Sequence, residues 1–287
     1  MSQFRRVAII GVGMIGATLG RALRRAQPDL EIWGYDPQRP PESVPTGVQH
    51  WANSAEQALH GADLVILATP LASILDLMPV AARACGARAL VTDAGSTKST
   101  VCAAARRVFT DVSGPHFLGG HPMAGRERGG AAASDPDLLR GAAYALCPDE
   151  RVPEGKRRGF EELVCGMGAH PLWIEPDDHD RIASQVSHLP QLVIVALASL
   201  LDEAAGNDAR VAELAGCGLK DLLRLASSPY AVWHDICRTN TPALRQAIEA
   251  VVDRLQAISR ELHDDGDLSR WFEAARHFRE ERLQVEQ

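Results

Sequence analysis

Three observations predict an α/β chain, with a doubly wound parallel sheet at the N-terminus and an all-α domain at the C-terminus. A short apolar run, Val7 to Ile10, leads directly into G-x-G-x-x-G at Gly11, Gly13 and Gly16, and from there into a helical repeat. Short apolar strands then alternate with helical stretches up to residue 175. From residue 176 onward the apolar residues recur at helical spacing. The 287 residues therefore divide into 1–175, a Rossmann-type domain, and 176–287, a helical domain.

Each element has its own justification. Val7 to Ile10 is apolar throughout and β-branched except at Ala8, as suits a strand buried on both faces. The glycines after it have separate tasks: Gly11 makes the tight turn, Gly13 lets a pyrophosphate approach the backbone, and Gly16 lets the helix pack closely. Met14 and Ile15 open that helix, whose free N–H groups point at the anion, so Gly11, Gly13, Met14, Ile15 and Gly16 are candidate cofactor contacts. The second strand, LEIWGYD, ends in Asp36, twenty residues after Gly16. A carboxylate there accepts the ribose hydroxyls of NAD and repels the 2′-phosphate of NADP; the plainer alternative is a cap on the turn at Pro37. Arg39 leaves NADP open as a weaker alternative.

The strand in ADLVILATP ends at Thr69 and Pro70, where the cofactor crevice is expected. The strand in RALVTDAGSTKS ends at Asp93, Gly95 and Ser96, with a helix from near Thr97. Ser96 is either an ordinary N-cap or a site residue, and Lys98 reads as a solvated first-turn lysine. In PHFLGGHPMAG, a short strand at Phe117 and Leu118 runs into a tight loop that carries His121 to the same edge of the sheet. His116, before that strand, reads as structural. Ala143 to Glu150 and Ala169 to Asp180 close the sheet, with a helix at Glu154 to Gly166 between them.

The second half is helical. Pro190 kinks or restarts the helix of SQVSHLPQLVIVALASLL, Gly206 and Asn207 end it, and Thr241 with Pro242 starts the next long one. The segment LPQLVIVALASLL is too short to span a bilayer and reads as a buried helix. It is also too apolar for a monomer surface, so it fills a core or joins a homodimer interface made by the C-terminal helices. His188, before the kink, reads first as a satisfied core histidine. Lys220, Asp221 and Arg224 look like a solvated face, except that Leu222, Leu223 and Leu225 around Arg224 predict its partial burial beside an anion such as Asp221 or a substrate carboxylate.

Composition narrows the classes. At 46% hydrophobic, 23% charged and a net charge of −7, the chain lacks the basic face a general nucleic-acid binder needs. Its six cysteines form no CxxC pair and no zinc-spaced cluster, so no metal is expected; they read as reduced, mostly buried thiols of a cytoplasmic protein. The glycines at 11, 13 and 16 interrupt any signal-peptide pattern, and no membrane partner is expected.

Taken together, GVGMIGATLGRAL, TDAGSTKS, GGHPMAGRE, SHLPQ and GLKDLLRLASSPYAVWHDICRTN resemble the prephenate/arogenate dehydrogenase family of tyrosine biosynthesis, in the expected order over most of the chain. The resemblance implies NAD-dependent oxidative decarboxylation of prephenate, arogenate or both, to 4-hydroxyphenylpyruvate or tyrosine, with no fused regulatory domain. It implies that His121 is the base and that Ser96 hydrogen-bonds the same ring hydroxyl or the base itself. It further implies that Arg224 binds a substrate carboxylate, oriented by Asp221, that His188 and Trp233 line the pocket, and that Glu127 stands at its entrance. Two residues depart from common family patterns: Gln191 stands where some members have a second histidine, and Arg126 where many have threonine or serine. Both are expected at the substrate's side-chain end, and use of both substrates is the expectation. The alternatives are a 4-amino-4-deoxyprephenate dehydrogenase, a β-hydroxyacid dehydrogenase (disfavoured because no lysine-centred motif is visible), and a non-catalytic NAD-binding sensor.

Overall fold

A computed structural model of the chain describes residues 3–40, 42–126, 129–262 and 267–283. Eight strands form one sheet: β1 (Arg6–Ile10), β2 (Glu31–Tyr35), β3 (His50–Trp51), β4 (Leu64–Leu67), β5 (Leu90–Asp93), β6 (His116–Pro122), β7 (Ala143–Cys147) and β8 (His170–Trp173). Their order is β3-β2-β1-β4-β5-β6-β7-β8, parallel throughout except that β7 runs antiparallel to β6. The helices are α1 (Met14–Ala26), α2 (Ala55–Leu59), α3 (Leu71–Ala84), α4 (Ser99–Val108), α5 (Glu154–Gly166), α6 (Pro176–Ala183), α7 (Leu189–Asn207), α8 (Arg210–Glu213), α9 (Cys217–Leu223), α10 (Tyr230–Thr239), α11 (Thr241–Glu261) and α12 (Ser269–His277).

The alternation of side chains along each strand sorts the core into two layers. Val7 and Ile9 of β1, with Ile32, Leu64, Ile66 and Leu146, pack against α1 and α5. Ala8 and Ile10, with Val65, Leu67, Val91 and Phe117, pack against α2, α3 and α4. Helices thus cover both faces, which is why the central strands carry almost no polar side chains.

β6 differs from the sequence expectation. The strand does not end at Leu118: it continues to Pro122, and His121 sits on it opposite Ala145 of β7, not in a loop. The two preceding glycines serve clearance and not turning. A Cβ on Gly120 would stand 2.8 Å from both the Asp93 carbonyl oxygen and Thr92 Oγ1. A Cβ on Gly119 would stand 2.6 Å from Cys102 Sγ. The strand is sunk too deeply among its neighbours to carry side chains there.

Past β8 the chain is helical, as expected, but its most apolar helix is not short. One turn of π-helix, Ser184–His188, joins α6 to α7, and Pro190 falls in the first turn of α7, where its missing N–H costs nothing. The resulting run, Pro176–Asn207, is long and apolar enough to cross a membrane by length and composition. Nor is it buried in the single chain: within α7 only Gln191 and Ile194 are buried, while Leu200 is 64% exposed.

By compactness the chain separates into Met1–Thr241 and Pro242–Gln287, so α6 to α10 belong with the sheet although the strands give way to helices at Pro176. The second unit holds the rest of α11 and α12. The six cysteines are free; Cys85, Cys102 and Cys147 are buried, whereas Cys165 and Cys217 are exposed, so fewer are buried than expected.

Candidate active site

The glycine loop leaves β1 and turns into α1 beside the end of β4. Its three glycines are needed for different reasons. Gly11 has φ +88°, and a Cβ there would meet Ala68 and Thr69 at 2.7 Å. A Cβ on Gly16 would lie 1.9 Å from the Gly11 carbonyl oxygen. A Cβ on Gly13 would meet nothing within 4 Å. The fold itself therefore demands glycine at 11 and 16, while the bare backbone at 13 faces open space at the N-terminus of α1. That helix has no side-chain cap and no acidic residue in its first turn. An uncapped N-terminus behind an uncovered backbone fits a dinucleotide pyrophosphate. Asp36 stands at the end of β2 with Oδ2 accepting the Val12 N–H at 2.7 Å and Oδ1 the Gln38 N–H at 2.8 Å, so its carboxylate also fastens the loop. Arg39 lies over the Trp51 ring, 4.8 Å from its centre. Thr69 and Pro70 follow β4, with Thr69 against Gly11.

From this loop a cleft of about 520 Å³ opens, a size suited to small molecules. Met14, Ile15, Ser96, His121 and Arg126 line it from the sheet side, and His188, Gln191, Arg224 and Trp233 from the helices. Asp221 is exposed and does not line it, and Glu127 lies outside the described residues. Arg224 lines the cleft but is exposed, contrary to the expected partial burial, because α9 before it buries no residue. Ser96 is not a helix cap: α4 begins at Ser99, with Lys98 in the N-cap position.

Lys98 is the largest departure from expectation. It is not solvated but 0% exposed, ion-paired with the equally buried Asp93, and its Nζ donates to the Gly120 carbonyl at 2.8 Å. Asp93 Oδ2 also accepts the Gly95 N–H at 2.9 Å, and Oδ1 the Gly120 N–H at 3.1 Å. This buried pair anchors the backbone immediately before His121.

Behind His121 is a group that sequence reading passed over. His121 Nδ1 lies 2.9 Å from His179 Nε2, and His179 Nδ1 lies 2.8 Å from Asp180 Oδ1. Asp180 Oδ1 also accepts the Lys98 N–H at 2.6 Å, and Oδ2 the Ser99 N–H at 2.9 Å. Asn240 Nδ2 donates to the Asp180 carbonyl at 2.7 Å and approaches His188 Nδ1 at 3.3 Å. Sequence reading places PDDHD in the stretch that closes the sheet, but the strand ends at Trp173 and α6 begins at Pro176, and no spacing signal separates His179 and Asp180 from their acidic neighbours.

Electrostatics follow from the burial. Burial, with His179, Lys98 and His188 nearby, holds the His121 imidazole well below its ordinary pKa, so it is a neutral base at neutral pH. Burial lowers His188 to about 4 despite Asp180. Burial pushes Asp180 up, but the hydrogen bonds from His179, Lys98 and Ser99 outweigh it and keep the carboxyl below its usual range. At the helical wall, Trp233 Nε1 donates to Ser228 Oγ at 2.9 Å, and Gln191 Nε2 donates to the Leu225 carbonyl at 2.9 Å. Arg126 pairs with Asp135 at 2.8 Å.

Comparison with known proteins identifies the family. The model described as "Prephenate dehydrogenase, nucleotide-binding domain" matches residues 19–172, and "Prephenate dehydrogenase, dimerization domain" matches 175–276. The prephenate dehydrogenase of Lactococcus lactis is 29% identical over 99% of this chain and 77% of its own length. The cyclohexadienyl dehydrogenase of Zymomonas mobilis is 26% identical over 93% of this chain and 92% of its own. Among solved structures, prephenate dehydrogenase from Aquifex aeolicus, in complex with hydroxyphenyl propionate and NAD+, superposes with a TM-score of 0.83 at 26% identity, covering 98% of each chain.

Proposed function

The chain belongs to the prephenate dehydrogenase family, and we propose that it oxidises and decarboxylates both prephenate and arogenate with NAD, through the residues of the single cleft just described. The observation that carries this reading is the meeting, in one cavity, of the glycine-loop helix, a buried neutral imidazole and a wall with cationic and aromatic side chains.

Gly13, the N-terminus of α1 and Asp36 would hold NAD, which would supply the hydride acceptor for the ring carbon that bears the hydroxyl. His121 takes the hydroxyl proton as carbonyl character develops, and Ser96 hydrogen-bonds the same oxygen. Arg224 and Arg126 each offer a guanidinium to a carboxylate, the feature that separates these substrates from neutral ring compounds. Asn240 donates to His188 Nδ1, so neutral His188 carries its hydrogen on Nε2 and serves as an uncharged donor. Trp233 packs on the ring, and Gln191, tied to Leu225, keeps its amide oxygen for the side-chain end. The amide oxygen can accept from the ammonium of arogenate, and the second N–H of Nε2 can donate to the keto acid of prephenate, which supports use of both substrates.

Asp36 supports NAD over NADP, and Arg39, resting on Trp51, is turned to an aromatic partner. Residues 1–175 would carry the cofactor, and 176–287 the substrate wall and dimer contacts. The uncovered α7 lies inside the stretch matched by the dimerization-domain model, so its apolar face is covered by a second copy in a cytoplasmic homodimer and not by lipid.

The test is NADH formation with prephenate and with arogenate. Turnover of both with kcat/KM within about a hundredfold supports the reading. Exclusive use of one substrate refutes the dual specificity, and His121→Asn that still turns over at the wild-type rate refutes the base.

A further inference from the structure

Resting on His121 as the base, we propose that His179 and Asp180 are positioning residues that fix the tautomer of His121 and carry its proton away from the substrate. The assignment follows from counting donors and acceptors. An ionised carboxylate only accepts, so the 2.8 Å contact to Asp180 requires hydrogen on His179 Nδ1. A neutral His179 then has a bare Nε2. The 2.9 Å contact to that nitrogen requires hydrogen on His121 Nδ1. The lone pair of His121 is thereby placed on Nε2, the ring nitrogen left for the cleft that His121 lines.

The proton step balances. The substrate O–H proton moves to His121 Nε2 as the Nδ1 proton of His121 moves to His179 Nε2. His121 ends neutral with hydrogen on Nε2, and the positive charge rests on His179 against the Asp180 carboxylate. The groups facing the two rings favour this placement. From β5 and the start of α4 come Asp93 and Lys98, an ion pair whose Lys98 ammonium disfavours a charge on His121. From the π-turn comes His188, neutral above about pH 4. From α6 comes Asp180, whose side chain, among the described residues, pairs with His179 and with no Lys or Arg. A cation on His121 would face Lys98, whereas one on His179 faces a carboxylate.

Two variants test the proposal. In His179→Gln the amide oxygen accepts from His121 Nδ1 but cannot hold a proton, and in His179→Leu neither is possible. The expected result for Gln is a kcat lower by about tenfold to a hundredfold, with KM for substrate and NAD changed by less than about twofold. The acidic limb of kcat/KM should also move to lower pH, because the proton must then rest on His121 itself, where burial first, and Lys98 and His188 after it, disfavour the charge. Leu should lose more activity than Gln. NAD affinity equal to wild type establishes that each variant is folded. Wild-type kcat in the Gln variant, or activity lost with an unmoved limb, overturns the proposal. Turnover by His121→Asn overturns the base reading instead, whatever the His179 variants do.

Discussion

Replacing Lys98 with methionine tests whether the ion pair beneath the active site is integral to the fold. Methionine is of similar length, so little cavity is created, and the loss is electrostatic. Asp93 keeps the Gly95 and Gly120 N–H groups but loses its countercharge in a site that is 0% exposed. The Gly120 carbonyl loses its 2.8 Å donor. Breaking a buried pair from one side costs about 3–5 kcal/mol. The two retained N–H bonds place the expected loss near the lower end, at about 3–4 kcal/mol, or a Tm lower by roughly 6 °C for a chain of this size. Denaturant unfolding of the single variant and of Lys98→Met with Asp93→Asn measures it. The double variant should recover at least half of the loss, because no isolated charge remains. A single variant within about 0.5 kcal/mol of wild type, the range of ordinary surface changes, would refute the reasoning. So would a double variant as unstable as the single.

Two further outcomes follow from the geometry. Gly13→Ala should keep wild-type stability and lose NAD affinity, by calorimetry, at least about tenfold, whereas Gly16→Ala, with its Cβ 1.9 Å from the Gly11 oxygen, should lose about 1–3 kcal/mol even without NAD; the reverse order contradicts the roles assigned to them. Stability should also fall with acid before the carboxylates titrate. The unfolded chain protonates His188 near pH 6.5 but the folded chain only near about 4, so stabilisation present above pH 6.5 is lost as pH falls through that window, by about 3 kcal/mol. His121 and His116, both lowered by burial first, act in the same direction. His188→Gln should flatten the curve, and an unchanged slope contradicts the assignment.

How much of this was legible in the sequence depends on whether the cause is local. The glycine loop, the strand ends at Asp36 and Asp93 and the helices of the second half are written in nearest-neighbour patterns, and they stand where expected. His121 was legible as a residue but not in its setting, because two glycines announce a loop unless the depth of Asp93 and Cys102 beneath them is known. Lys98 and Asp93 are five residues apart, yet what buries them is β6, more than twenty residues further on. His179 and Asp180 acquire meaning only through His121, Lys98 and Ser99, contacts no linear pattern encodes. Arg224 was misjudged in the opposite sense: leucines beside it implied a core that α9 does not have.

The two walls of the cleft are built to different standards of rigidity. His121 belongs to β6, bonded to neighbours on both sides and sunk against Asp93, so moving it means opening the centre of the sheet. On the other wall, the short 3₁₀ turn Arg224–Ser227 buries no residue, nor do α8 and α9 that precede it, so little apolar contact opposes local opening there. Free energy of opening is therefore distributed unevenly around the cleft. On the reading proposed above, a molecule would enter and leave past the Arg224 side, while the His121 imidazole would hold its place on the sheet.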